Sequence, residues 1–118
     1  CRMRMQELGL NIERQAPGKV VLLNNCHLGN VRQWQGIVFN HRQSFTKMLN
    51  PHYATICKGY AIPYDVMTDR SKLRAAVEKM IATPGPYVLE LAIKEEDNVL
   101  PMTPPGNSVD DMLLEIKA

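Results

Sequence analysis

Apolar positions change their period several times along this chain, and each change marks an element. Met5, Leu8 and Ile12 recur at helical spacing and predict a helix over roughly residues 3–14, stopped by Pro17-Gly18. Residues 19–23 are apolar and β-branched without polar alternation, the signature of a strand covered on both faces of a parallel sheet. Gly29 then opens a helix reaching about residue 39, with Val31, Trp34 and Val38 along one side. Residues 40–49 are polar and mixed and read as a loop. Asn50-Pro51 is an N-cap followed by proline at the first helical position. Behind it Tyr53, Ile56, Cys57 and Tyr60 keep the spacing of a short helix.

Residues 62–67 predict a short strand with Pro63 near its start. The clearest helix follows: Asp69 caps it, Leu73, Ala76, Val77, Met80 and Ile81 form its stripe, and Thr83-Pro84-Gly85 ends it. Residues 87–93 are a further strand, nearly continuous in apolar residues. The remaining stretch, 94–118, has no period and carries Pro101, Pro104, Pro105 and Gly106, so it predicts an irregular tail that needs a surface to lie on. Alternating strands and helices give an α/β class, a three-layer domain with a mostly parallel sheet flanked by helices. Three strands are few for such a sheet, and a helix comes first where a strand is expected. The sequence therefore reads as a partial domain cut at its start, with an α/β body over 1–93 and the tail over 94–118.

Composition narrows the class. The 118 residues are one domain's worth, 45% apolar and 22% charged, as in ordinary globular chains. A net charge of +2 argues against nucleic acid or an acidic membrane as partner. Apolar runs such as Val20-Val21-Leu22-Leu23 are far short of a membrane span, and no signal-peptide pattern opens the chain. Cys1, Cys26 and Cys57 are odd in number and form no close pair, which predicts reduced thiols and a cytoplasmic protein.

Candidate chemistry concentrates at Leu23-Asn24-Asn25-Cys26-His27-Leu28-Gly29, where a buried strand gives way to a helix. Ligands of open α/β sheets bind at the carboxyl ends of strands, and a strand–loop–helix join turns free N–H groups toward an anion such as a diphosphate. Magnesium takes oxygen ligands and is held by few protein groups plus phosphates. Asn25 can supply a side-chain oxygen, and a carbonyl two residues on can supply a second. By spacing alone, turn formation is the simpler duty for the two asparagines.

Other candidates carry less. His27, His41 and His52 share no metal-ligand spacing, which leaves zinc without support. Ser44, Ser71 and Ser108 lie in no nucleophile-elbow setting. Arg32 with Trp34 can bind a cation or stack on a base, though a lone tryptophan on a helix is more often core. Glu95-Glu96-Asp97 reads most simply as a solvated turn.

The string from Leu22 to Gln35, with Asn24-Asn25 and Val31-Arg32-Gln33-Trp34-Gln35 within it, closely resembles acetohydroxyacid synthase catalytic subunits. Met5-Gln6-Glu7-Leu8, Thr83-Pro84-Gly85-Pro86 and Val99-Leu100-Pro101-Met102 continue the resemblance in order along nearly the whole chain. The double asparagine is shared by thiamine diphosphate enzymes in general, whereas the Val-Arg-Gln-Trp-Gln and Val-Leu-Pro-Met stretches are specific to the synthase.

The resemblance implies a thiamine diphosphate-binding fold with Mg2+ and thiamine diphosphate as cofactors. Asn25 would coordinate the metal by its side chain and His27 by its backbone carbonyl, with Leu28, Gly29 and Asn30 completing the cofactor-binding stretch. Asn30 departs from the family's usual methionine, so that side chain's contact to the cofactor ring does not carry over. Trp34 would line the substrate pocket and favour 2-ketobutyrate as second ketoacid; an extra methylene in an apolar pocket is worth about 1–3 kcal/mol. The family's Gly-Asp-Gly motif would fall immediately before Cys1, and its activating glutamate lies in an N-terminal domain, so no catalytic residue is expected on this chain. The implied reaction joins a two-carbon unit from pyruvate to a second 2-ketoacid in branched-chain amino acid biosynthesis. Implied partners are 2-ketoacids, the rest of the catalytic subunit, further copies in a homo-oligomer and a regulatory small subunit. The alternatives are another thiamine diphosphate-dependent decarboxylase or carboligase, such as a pyruvate oxidase or glyoxylate carboligase, and a non-catalytic binding module if the chain is natural at this length.

Overall fold

The structure, a computed structural model, describes residues 5–95 and 98–115. Cys1, the first residues of the helix expected from residue 3, Glu96, Asp97 and residues 116–118 lie outside them. In chain order the elements are α1 (Glu7–Glu13), β1 (Lys19–Asn24), α2 (Gly29–Val38), α3 (Tyr53–Gly59), β2 (Tyr64–Met67), α4 (Leu73–Ala82) and β3 (Tyr87–Ala92). They divide into two compact units, one of residues 1–25 and 50–93, the other of residues 26–49 and 94–118.

The first unit is built on a parallel sheet in the order β1-β3-β2. Val88 of β3 sits level with Val20 of β1 and Tyr64 of β2, so β3 is the central strand. Parallel neighbours need crossover connections, and α4 supplies the one from β2 to β3. The two-residue period of β3 then sends alternate side chains to opposite layers. Tyr87 and Leu89 pack with Ala76 and Met80 of α4, while Val88 packs with Leu8 of α1, Cys57 of α3 and Ile62. Leu89 is fully buried, which contributes about 1.5–3 kcal/mol relative to exposure. This is the expected three-layer α/β arrangement.

Several boundaries differ from the sequence expectation for physical reasons. The helix predicted behind Asn50-Pro51 begins at Tyr53 with His52 as its N-cap residue. Asn50 lies two residues before that cap position, and its side-chain amide donates to Asn24 Oδ1 at 2.7 Å. β2 begins only after Pro63, whose carbonyl still accepts the Val88 N–H at 3.0 Å although proline has no N–H of its own to give. Asp69 does cap, through a 3-10 turn at Arg70–Lys72 that leads into α4; its carboxylate accepts the Ser71 N–H at 2.9 Å. Ile81, counted in the α4 stripe, is instead 66% exposed. β1 is covered on one face rather than two: α4 packs over β3 and β2, leaving Val21 and Leu23 47% and 61% exposed. Gly85, at φ +77, makes the tight turn into β3 that an L side chain resists. Lys19 holds that turn by donating to the carbonyls of Gly85, at 2.7 Å, and Thr83.

The second unit centres on α2. Its apolar side does not form a buried stripe, since Val31 and Val38 are 45% and 61% exposed. The buried residue of α2 is Gln33. The tail is not featureless: a 3-10 turn at Val109–Asp111 is capped by Ser108, and Met102 pairs with Leu113 in an antiparallel bridge. No helix of the described residues is long and apolar enough to cross a membrane.

Candidate cofactor and metal site

The end of β1 is organised by a polar group that the apolar pattern conceals. Glu90, buried on β3, accepts from Asn24 Nδ2 at 2.6 Å and from the Tyr64 hydroxyl at 2.5 Å. β1 and β2 thus meet at one carboxylate of β3, and Asn24 in turn accepts from Asn50, which ties the segment before α3 to the group. Burial, and then the hydrogen bond to Glu90, pushes the Tyr64 hydroxyl far above its ordinary value. Burial, reinforced by the Glu90 charge, raises the Cys57 thiol. The side chain of Asn24 is therefore engaged in holding the sheet. Asn25 follows it, half-buried, as the last residue before the chain enters the second unit.

Cys26 takes a left-handed conformation at φ +56, rare for a residue with a side chain, and the chain turns sharply there. His27 then faces Lys47 in an antiparallel bridge. The flanking bonds run from the Leu28 N–H to the Thr46 carbonyl and from the Met48 N–H to the Cys26 carbonyl, both at 2.8 Å. That pattern makes His27 and Lys47 a non-hydrogen-bonded pair, whose own N–H and C=O groups point away from each other. The His27 carbonyl is consequently turned out of the bridge, while its imidazole Nδ1 lies 3.1 Å from Glu95 Oε2. Glu95 is exposed, as a solvated turn residue should be, and is also held by His27, while its carbonyl accepts from Arg32.

α2 starts immediately afterwards. Leu28 is its N-cap residue and provides no side-chain cap to the first turn at Gly29 and Asn30. Uncapped first-turn N–H groups and the positive end of the helix dipole suit an anion. Among the described residues no three His, Cys, Asp or Glu groups gather as a metal site. Neutral amide and carbonyl oxygens are poor donors for zinc and suit magnesium, which brings phosphate and water oxygens with it. Within the second unit, the His27 carbonyl and the first turn of α2 are groups of the kind that magnesium and a diphosphate take.

Trp34 lies half-buried one turn further along, between two glutamines with similar duties. Gln33 donates to the Val99 carbonyl at 2.9 Å and accepts the Val99 N–H at 3.0 Å, and its amide also reaches Met102 Sδ at 3.0 Å. Gln35 donates to the Ser44 carbonyl at 3.1 Å and accepts the Ser44 N–H at 2.8 Å. Arg32 donates from Nε to Gln43 Oε1 at 3.0 Å. Sequence reasoning missed Glu90, Gln33 and Gln35. The one available signal was Glu90, a charge set inside an otherwise apolar strand. A separate cavity of about 320 Å³ lies at the carboxyl ends of β2 and β3, lined by Met67, Arg70, Leu73, Leu91 and Ile93 among others.

Residues 1–91 match the family model described as thiamine pyrophosphate enzyme, C-terminal TPP binding domain. The chain is 40% identical over 121 residues to acetolactate synthase 1, chloroplastic, of Oryza sativa subsp. japonica, covering 96% of this chain. It is likewise 40% identical over 112 residues to the acetolactate synthase isozyme 2 large subunit of Escherichia coli (strain K12), covering 94% of this chain. The Pyropia yezoensis acetolactate synthase large subunit is 32% identical over 114 residues. The chain spans only 19% of the length of the rice protein and 20% of the bacterial one.

Proposed function

The chain belongs to the thiamine pyrophosphate enzymes, carrying their C-terminal TPP-binding domain, and from this we propose that it serves an acetolactate synthase. The parent reaction would release carbon dioxide from pyruvate and join the remaining two-carbon unit to a second 2-ketoacid. Acetolactate and acetohydroxybutyrate, the products, lead to valine, leucine and isoleucine. Thiamine diphosphate, when bound, supplies the carbanion chemistry, and the protein supplies position and electrostatics.

On this reading Asn25 holds magnesium through its side-chain oxygen and His27 through its carbonyl. The first turn of α2, from Leu28 through Gly29 and Asn30, faces the diphosphate, and Trp34 forms part of the acceptor pocket. The observation that carries the reading is the His27 carbonyl turned out of its bridge directly before an uncapped helix start. The names of the relatives favour the synthase over other thiamine diphosphate carboligases. Exposed Val21 and Leu23 support association with further protein, whether the rest of a catalytic subunit, other copies or a regulatory subunit. The odd number of cysteines in the sequence, with no close pair, is what supports a reducing compartment, which we take to be the cytoplasm.

The test is product analysis with pyruvate and 2-ketobutyrate supplied together to the whole protein. Acetohydroxybutyrate should dominate, and Trp34→Leu should erode that preference while pyruvate self-condensation and cofactor affinity persist. Absence of any acetohydroxy acid would sink the synthase reading; an unchanged preference would remove Trp34 from the pocket.

A further inference from the structure

Two motifs stood apart in the sequence, Val31-Arg32-Gln33-Trp34-Gln35 on α2 and Val99-Leu100-Pro101-Met102 in the tail, and the structure joins them. Gln33 is only 6% exposed, and both ends of its amide engage the two backbone polar groups of Val99. Two residues on, Gln35 repeats the same two-point pairing with Ser44 in the loop between α2 and α3. A primary amide offers a donor and an acceptor side by side, as a peptide does, so each glutamine acts as one rung of a ladder to a segment without regular structure. The residue between these rungs is Trp34.

We propose that Gln33 and Gln35 are positioning residues, a pair of amide clamps that fix the tail at Val99 and the loop at Ser44 on either side of Trp34. Each clamp is specific in direction, because an amide aligned with both backbone groups of one residue resists sliding by a residue. The contact is to the backbone of Val99, a residue that is 75% exposed. Arg32 strengthens the arrangement by bonding Gln43 on the loop side and the Glu95 carbonyl on the tail side. An acceptor preference set by the shape around Trp34 therefore depends on both glutamines, although neither needs to touch substrate. This last step rests on the reading of Trp34 as a pocket residue.

The experiment compares the parent protein with Gln33→Met, Gln35→Met and Val99→Pro. Methionine keeps the length and bulk of glutamine without its donor and acceptor pair. Val99→Pro removes the tail's N–H while leaving Gln33 intact, so a folding defect at the buried glutamine cannot decide the result. Hydrogen exchange at the Val99 amide should rise about tenfold or more in Gln33→Met with Ser44 unchanged, and the converse should hold in Gln35→Met. Both methionine variants and Val99→Pro should shift the emission assigned to Trp34 by difference from a Trp34→Phe protein, and lower the preference for 2-ketobutyrate while thiamine diphosphate affinity stays at the parent's value. Unchanged exchange at either amide overturns the clamps. Release of a segment with acceptor preference intact overturns their positioning role. A parent protein that forms no acetohydroxy acid removes the synthase reading instead; the clamps then stand or fall on exchange together with Trp34 emission, and release without an emission shift overturns them.

Discussion

Asn24 and Asn25 are neighbours of identical chemistry placed in different surroundings. Asn24 ends β1 and is engaged with Glu90 and Asn50, whereas the left-handed turn at Cys26 begins right after Asn25. Asn25→Ala should weaken magnesium and thiamine diphosphate binding together, by about tenfold or more, since a metal would link protein and diphosphate. His27→Ala should do far less, because the backbone carbonyl survives the substitution. Calorimetric titration of both variants checks this, and the reverse order would refute the ligand assignment. Glu90 carries a separate consequence at this scale. Glu90→Leu removes the acceptor of the Asn24 amide and of the Tyr64 hydroxyl, and a buried hydroxyl without its acceptor costs about 1–3 kcal/mol. Denaturant unfolding should show a loss of about 2 kcal/mol or more, and near-parent stability would show that the network is dispensable.

Among the elements, the β2–α4–β3 unit owes its alignment partly to charge. Lys79 of α4 lies 2.6 Å from Asp65 of β2, and the Tyr87 hydroxyl of β3 donates to the same carboxylate at 2.5 Å. The Lys79 hydrogen bond, followed by that of Tyr87, holds Asp65 below its ordinary value of 3.8. A carboxylate whose value is lowered by folding binds protons more weakly in the native state. Its contribution is therefore complete above that ordinary value and is lost as pH falls through the lower native one. The same pair raises Lys79, chiefly through its hydrogen bond to Asp65, so that contribution is kept below the ordinary value of 10.5 and lost as pH rises through the higher native one. Asp65→Asn should lower the thermal midpoint near neutral pH, and the gap from the parent should close as pH is taken below the ordinary carboxylate value. A gap that stayed constant with pH would assign the effect to packing rather than charge. The gain is small, because both partners are more than a third exposed and solvent screens them.

At the scale of the whole molecule, the described sheet leaves one edge of β1 without a strand partner and one of its faces only partly covered. Apolar surface beside an open edge pairs readily with other chains. The 118-residue polypeptide should therefore be dimeric or larger, and light scattering over a dilution series checks it; a stable monomer at high concentration would contradict the exposed-edge argument. The same polypeptide should give no acetolactate even with saturating magnesium and thiamine diphosphate. It spans 19% of the length of the rice relative. Effective chemistry needs a full set of groups preorganised around the cofactor. Clear turnover in an acetolactate assay would refute this.

By itself the sequence determined the elements whose physics is local. Strands β1 and β3, helices α2 and α4 and the Asp69 cap follow from period, propensity and capping chemistry, which act over a few residues. The resemblance carried by Asn24-Asn25 and Val31-Arg32-Gln33-Trp34-Gln35 likewise pointed to the family. What remained hidden depended on partners far away along the chain. Glu90 looks like a misplaced charge until Asn24 and Tyr64 are beside it, and Asn50 looks like a helix cap until it finds Asn24. Gln33 reads as a polar helix position, yet it is buried because a segment 66 residues later brings a backbone donor and acceptor to its amide. Hydrogen-bond satisfaction of buried polar groups is settled by tertiary neighbours and leaves no local period in the sequence, so only the folded chain could assign these residues their work.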